Sequence, residues 1–175
     1  FEEAAELLET HRDEAAFGFA LARAKLHAGR GEPDAAVREL KRAEPQLEDV
    51  AVNEAAAWYV QMARAHMRAG RYEEGLVHAN MALERLGAGA SDNVEIDTRD
   101  LLADALSVAG LTLSFSGRHE EATDTLRHSV KVARDTNNDR LVALALVSLA
   151  FALQRNDNLD GAKEAYEEAL GFSES

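Results

Sequence analysis

The side chains here that could do chemistry are six histidines, a surplus of carboxylates and four arginines in an unusual setting. His11, His27, His66, His78, His119 and His128 form no HExxH or other ligand pattern. His119 and His128 fall on separate turns of one helix, so the spacing does not indicate a metal. The chain has no cysteine, which excludes disulfides, thiol nucleophiles and thiolate metal sites. Most carboxylates sit on exposed helix faces. Paired-carboxylate catalysis needs two of them in a dry cleft, and nothing marks such a pair. Gly29-Arg30-Gly31 and Gly87-Ala88-Gly89 lack the spacing of a phosphate loop. These residues describe a non-catalytic protein with no cofactor and no metal.

The arginines carry more information. Most cations elsewhere have an acid three or four residues away: Arg38 with Asp34, Lys41 with Glu44, Arg127 with Asp124, Lys131 with Asp135, Lys163 with Glu167. Such pairs are ordinary on helix surfaces. Arg23, Arg64, Arg68 and Arg155 have no acid at that spacing. Free guanidinium groups suit carboxylates or phosphates, which accept two parallel N–H bonds. The alternative is that acids on neighbouring helices meet them.

The elements that would position these groups are helices. From Trp58 to Leu83 the sequence reads WYVQMARAHMRAGRYEEGLVHANMAL. Tyr59, Met62, Ala63 and His66 recur at helical spacing, as do Leu76, Ala79, Ala82 and Leu83 beyond the break. Gly70 fits the left-handed position that ends a helix. Small residues at Ala63, Gly75 and Ala82 let the two helices approach closely. The same pattern returns along the chain, with breaks at Gly29-Arg30-Gly31, Gly117-Arg118-His119 and Asn156-Asp157-Asn158. Pro33 opens the helix after the first break and Pro45 ends or kinks it.

This order, from Trp and Tyr through Ala to AGRYEEG and AL, resembles the tetratricopeptide repeat, an all-α helical hairpin that stacks into a right-handed superhelical solenoid. The resemblance covers nearly the whole chain, about four and a half hairpins in a single domain of residues 1–175. Full repeats are expected over 13–45, 50–86, 94–135 and 139–172. Phe1-Glu2-Glu3-Ala4 matches Tyr72-Glu73-Glu74-Gly75, so residues 1–12 are expected to be the second helix of a truncated repeat and the chain a fragment of a longer one. Gly87 to Asn93 is expected to be a loop inside the array. The anchors Gly29, Gly70, Gly117 and Asp157 lie 41, 47 and 40 residues apart. Units longer than the usual 34 or so residues resemble those of large bacterial signalling and transcription regulators, and of kinesin light chains.

In this family the first helix of each unit lines a concave groove. Alignment on the turns places Phe19 and Arg23 there in the first unit, and Arg64, Met67 and Arg68 in the second. Leu111 and Phe115 follow in the third, Phe151 and Arg155 in the fourth. Among the aligned positions these arginines face a single acid, Asp104, in a chain of formal charge −13. The resemblance therefore implies a protein-interaction scaffold that binds an acidic or acidic–aromatic polypeptide segment. Two other readings stand beside it: a regulatory domain that senses a small ligand or signalling peptide, and a spacer that self-associates through exposed repeat ends. The two-carboxylate clamp of chaperone-tail receptors is not matched, since its positions hold Phe19, Arg23, Gln61, Asp104 and Val108.

The negative charge argues against direct binding to nucleic acid or to anionic lipid through the bulk surface. The longest uncharged run, Leu141 to Leu153, is too short for a bilayer, which needs about 20 residues. A cytoplasmic protein is expected.

Overall fold

The computed structural model describes residues 2–87 and 96–173, with side chains described over 15–87 and 98–172. Four helical hairpins follow one another: α1 (Glu2–Gly29) with α2 (Pro33–Ala43), α3 (Val52–Arg68) with α4 (Tyr72–Arg85), α5 (Ile96–Phe115) with α6 (His119–Arg134), and α7 (Asp139–Arg155) with α8 (Leu159–Ser173). The described residues form no strand. Each second helix packs on the first helix of the next hairpin, and α1, α3, α5 and α7 also touch in sequence. The result is a helical solenoid.

One motif closes all four first helices. A left-handed residue, Gly31, Gly70, Gly117 or Asp157, has φ of 74°, 75°, 87° and 57° in turn. The next amide then bonds back to the last helical turn: Glu32 to His27, Arg71 to His66, Arg118 to Leu113 and Asn158 to Leu153, each at 2.9 Å. That is the Schellman closure. It corrects the first anchor, because the left-handed residue is Gly31 and not Gly29. The register of α1 therefore moves by two residues.

The expected break between residues 12 and 13 is absent: Glu2–Gly29 is one helix of 28 residues. Nothing between Glu2 and Phe17 is Gly, Pro or Asn, and Ala, Glu and Leu favour continuation. The half-hairpin is thus replaced by a first helix that overhangs its neighbours. The match of Phe1 to Tyr72 and most of the loop expected from Gly87 to Asn93 lie outside the described residues. After α2, Glu44–Gln46 forms a 3₁₀ turn at Pro45.

Two groups of buried side chains hold the stack. The first joins Phe17, Leu40, Trp58, Val60 and Met62. The second joins Leu126, Val130, Leu146, Leu149 and Leu153. Trp58 is fully buried, and its indole N–H donates to the Leu40 carbonyl of the preceding helix at 2.8 Å. Among the described glycines the tightest place is Gly110 between α5 and α6, where a Cβ would stand 2.5 Å from Leu126 Cγ.

Candidate functional site

The first helices α3, α5 and α7 run side by side and expose one row each. From α3 come Gln61, Arg64 and Met67, from α5 Asp104, Leu111 and Phe115, from α7 Leu144, Val147 and Phe151. Leu144 and Val147 are exposed although α7 buries Val142, Ala145, Leu146, Leu149, Ala150, Ala152 and Leu153. The uncharged run Leu141 to Leu153 is therefore buried on one side and open on this one.

Three of the four arginines reach this surface, and all four have partners on other helices. Arg64 Nη2 lies 2.5 Å from Asp104 Oδ1, joining α3 to α5. Arg68 donates through Nη1 to the carbonyl of Ala28 at the end of α1. Arg155 donates through Nε to the Ser114 carbonyl at 3.3 Å. Arg23 instead lies 3.2 Å from Glu39 Oε1 on α2, an oxygen that Arg42 also meets at 2.8 Å. The sequence showed no partner because none lies on the same helix; the second helix of its own hairpin supplies one to Arg23, and residues about 40 positions away supply them to Arg64, Arg68 and Arg155. Of the two readings, pairing with acids on neighbouring helices describes Arg23 and Arg64, while Arg68 and Arg155 meet carbonyl oxygens.

Register explains Arg23 and Phe19. With Gly31 as anchor, the positions equivalent to Gln61, Arg64 and Met67 become Ala22, Lys25 and Ala28. Phe19 and Arg23 then match Trp58 and Met62, which face a preceding second helix. The Arg23 guanidinium lies 6.0 Å from the Phe19 ring. Neither residue joins the concave row.

An aromatic ladder closes the C-terminal ends of the same helices. Tyr72, at the start of α4, stacks on Phe115 with centroids 5.9 Å apart and planes 9° apart. Phe115 meets Phe151 at 5.3 Å. Arg155 lies over both phenylalanines, 5.7 Å from each centroid. Cation–π attraction of this kind contributes roughly 0.5–1 kcal/mol at an exposed site. Its terminal nitrogens make no hydrogen bond among the described residues, so they remain available for a carboxylate. Phe115, Phe151 and Arg155, three of the aligned positions, lie together, and Tyr72, which the sequence reading did not place there, joins them. The signal was its place two residues after the left-handed glycine, which fixes its side of the hairpin.

A broad open cleft of about 490 Å³ lies at the other end of the row, lined by Arg64, Asp104, Asn138, Arg140, Leu141 and Leu144. Asn138 caps α7 by accepting from the Leu141 amide at 3.1 Å, and its amide donates to Asp100 at 2.8 Å. Among the described residues no group of three or more His, Asp or Glu could hold a metal ion. None of the described helices is long and apolar enough to cross a membrane.

Stacked helical hairpins with a continuous row on their first helices define a helical repeat protein of the solenoid class. Family profiles described as tetratricopeptide repeat match residues 18–42 and 143–175. A third profile, anaphase-promoting complex subunit 5, matches residues 77–157. Among solved structures, a TPR-like protein from Chlorobium tepidum is similar over 81% of this chain and 97% of that one, at 20% identity and a TM-score of 0.65. Nearly identical TPR-like repeats of a Podosopora anserina kinesin light chain relative cover 93% of this chain and 95% of that one, at 15% identity. Their TM-score of 0.38 is too low to add to the argument. No curated protein matches the chain. The protein is a tetratricopeptide repeat array.

Proposed function

We propose that this array is a non-catalytic scaffold whose concave face holds a polypeptide segment, seated mainly on α5 and α7. The segment presents aliphatic or aromatic side chains to Leu144, Val147, Leu111 and the Phe115–Phe151 pair. A carboxylate of the segment meets Arg155. The observation that carries this is the guanidinium of Arg155 laid over two phenylalanine rings at the rim of an exposed apolar row. Arg64 and Arg68 are engaged within the array, so a single carboxylate next to apolar anchors suits the face better than a strongly acidic segment. The 490 Å³ cleft is open rather than enclosed, which favours a segment over a small ligand.

The test is fluorescence anisotropy with labelled peptides that pair an acidic residue with aromatic and aliphatic ones, against controls in which lysine replaces the acid. Acidic peptides should bind, and lose most of their affinity to Arg155→Glu and to Val147→Glu. Equal binding of both peptide sets, or binding untouched by Arg155→Glu, would sink the proposal.

A further inference from the structure

The hairpins can be compared position by position, counting from the left-handed residue that closes each first helix. In the second hairpin Trp58, Tyr59, His66 and His78 form one cluster of rings. The His66 and His78 centroids are 5.2 Å apart, and His78 lies 6.1 Å from Trp58 and 6.3 Å from Tyr59. Counted from Asp157 instead of Gly70, the same positions in the fourth hairpin are Ala145, Leu146, Leu153 and Ala165. None of these is a ring, and an open cleft of about 610 Å³ lies there between α6 and α8. Leu146, Leu149 and Leu153 of α7 form its floor.

These leucines stand two residues beyond Leu144, Val147 and Phe151. Two residues turn a helix by about 200°, so the cleft opens on the face of α7 opposite the concave row. Its α8 wall, Gly161, Glu164 and Ala165, is the side of that helix turned back toward α6, so the cleft forms without any neighbour beyond α8.

The two walls differ in charge. Arg127, Lys131 and Arg134 come from α6, which ends at Asp135, while Glu164 and Glu168 come from α8. Arg127 meets Asp124 of its own helix at 3.1 Å, and Arg134 crosses the cleft to Glu168. Lys131 and Glu164 are exposed and meet no partner among the described residues. One cation and one carboxylate are thus left on opposite walls, above an apolar floor.

We infer that this cleft takes one aromatic residue of a partner polypeptide, flanked by an acidic residue that meets Lys131 and a basic residue that meets Glu164. The ring seats on Leu149 beside Ala165, at the position where the second hairpin places the His78 ring. Aromatic anchors in apolar pockets with charged rims are the usual centres of such contacts. The cleft shares no residue with the concave row, so this inference and the proposed function fail separately.

Fluorescence anisotropy tests it in an Arg155→Glu background, which disables the concave face. Two labelled peptides, centred on Asp-Trp-Lys and Lys-Trp-Asp, cover both chain directions. One of them should bind this background as well as it binds the wild type. Ala165→Trp fills the cleft from within and should abolish binding, with circular dichroism confirming that the helices persist. Lys131→Glu should weaken binding about tenfold, and a peptide with lysine in place of aspartate should recover that loss. If Arg155→Glu alone removes binding, the peptide sits on the concave face and the inference falls. It also falls if neither peptide binds, if Ala165→Trp binds as before, or if the lysine peptide restores nothing to Lys131→Glu.

Discussion

The cores of the two halves of the array differ in their use of aromatic rings. In the first half Phe17, Trp58 and Tyr59 lie in the core. In the second half the core is aliphatic, built on Leu126, Leu146, Leu149 and Leu153, while Phe115 and Phe151 sit at the concave surface. The arginines follow the same division. Arg64, at the first-half end of the row, is neutralised by Asp104, whereas Arg155 spends its charge on ring faces. One repeat pattern thus builds two different arrangements: rings inside fill a joint, and rings outside lie beside a cation at the concave surface.

Removing a ring from each half should expose this contrast most strongly. Trp58→Ala empties a fully buried site and strands the Leu40 carbonyl, so a loss of about 3–5 kcal/mol is expected. Phe151→Ala should cost only about 1 kcal/mol while abolishing peptide binding at Arg155. Urea unfolding of both proteins gives the comparison directly, and equal losses would erase the distinction between the halves.

The second half depends on closeness rather than on rings. Gly110→Ala drives a methyl into Leu126 at 2.5 Å. Overpacking of that kind should cost about 1–3 kcal/mol. Gly18→Ala, whose Cβ would meet nothing within 4 Å, is the control and should not destabilise.

Acid should act on the first half. His66 is buried, accepts from Arg71 Nε at 2.9 Å and stacks on His78 at 5.2 Å. Burial first, then the positive charge of His78 and Arg71, hold its imidazole below the ordinary value of 6.5. The unfolded chain takes up that proton at a higher pH than the folded chain does, so in this window the unfolded state binds more protons. Stability contributed here is full above about pH 6.5 and falls as the pH drops toward the lowered folded value. Melting temperatures from pH 7.5 down to 5.5 should decline, and His66→Gln should flatten that slope. A slope unchanged by His66→Gln would assign the decline elsewhere.

The smallest effect belongs to the Arg64–Asp104 pair. Both side chains are about a third exposed, 27% and 33%. A double-mutant cycle with alanine at each should give a coupling below about 1 kcal/mol. A much larger coupling would make this pair a structural clasp of the first half.

Much of the fold was legible in the sequence because its signals are local. Helical spacing, the glycines at Gly70 and Gly117 and the small residues between paired helices act within one hairpin. The misread turn at Gly29 shows the limit. Two glycines lay within reach, and only the closing bond from Glu32 to His27 distinguishes them. That two-residue shift moved Phe19 and Arg23 out of the groove, to the positions that Trp58 and Met62 hold in the next hairpin. The long α1 is a second limit, for the sequence carried a repeat-like match but no residue that breaks a helix.

What the sequence determined by itself, then, is the repeating hairpin, three of its four closures and the helices that carry the candidate residues, since helix periodicity and left-handed turns are set by neighbours in the chain. Tertiary structure alone decided what each of these arginines meets. Arg64, Arg68 and Arg155 find their partners about 40 residues away, across the stacking of one repeat on the next. Stacking also brought Tyr72, Phe115, Phe151 and Arg155 into one cluster from three helices, α4, α5 and α7. Charge pairing between helices depends on distance in space, and no spacing along the chain encodes it.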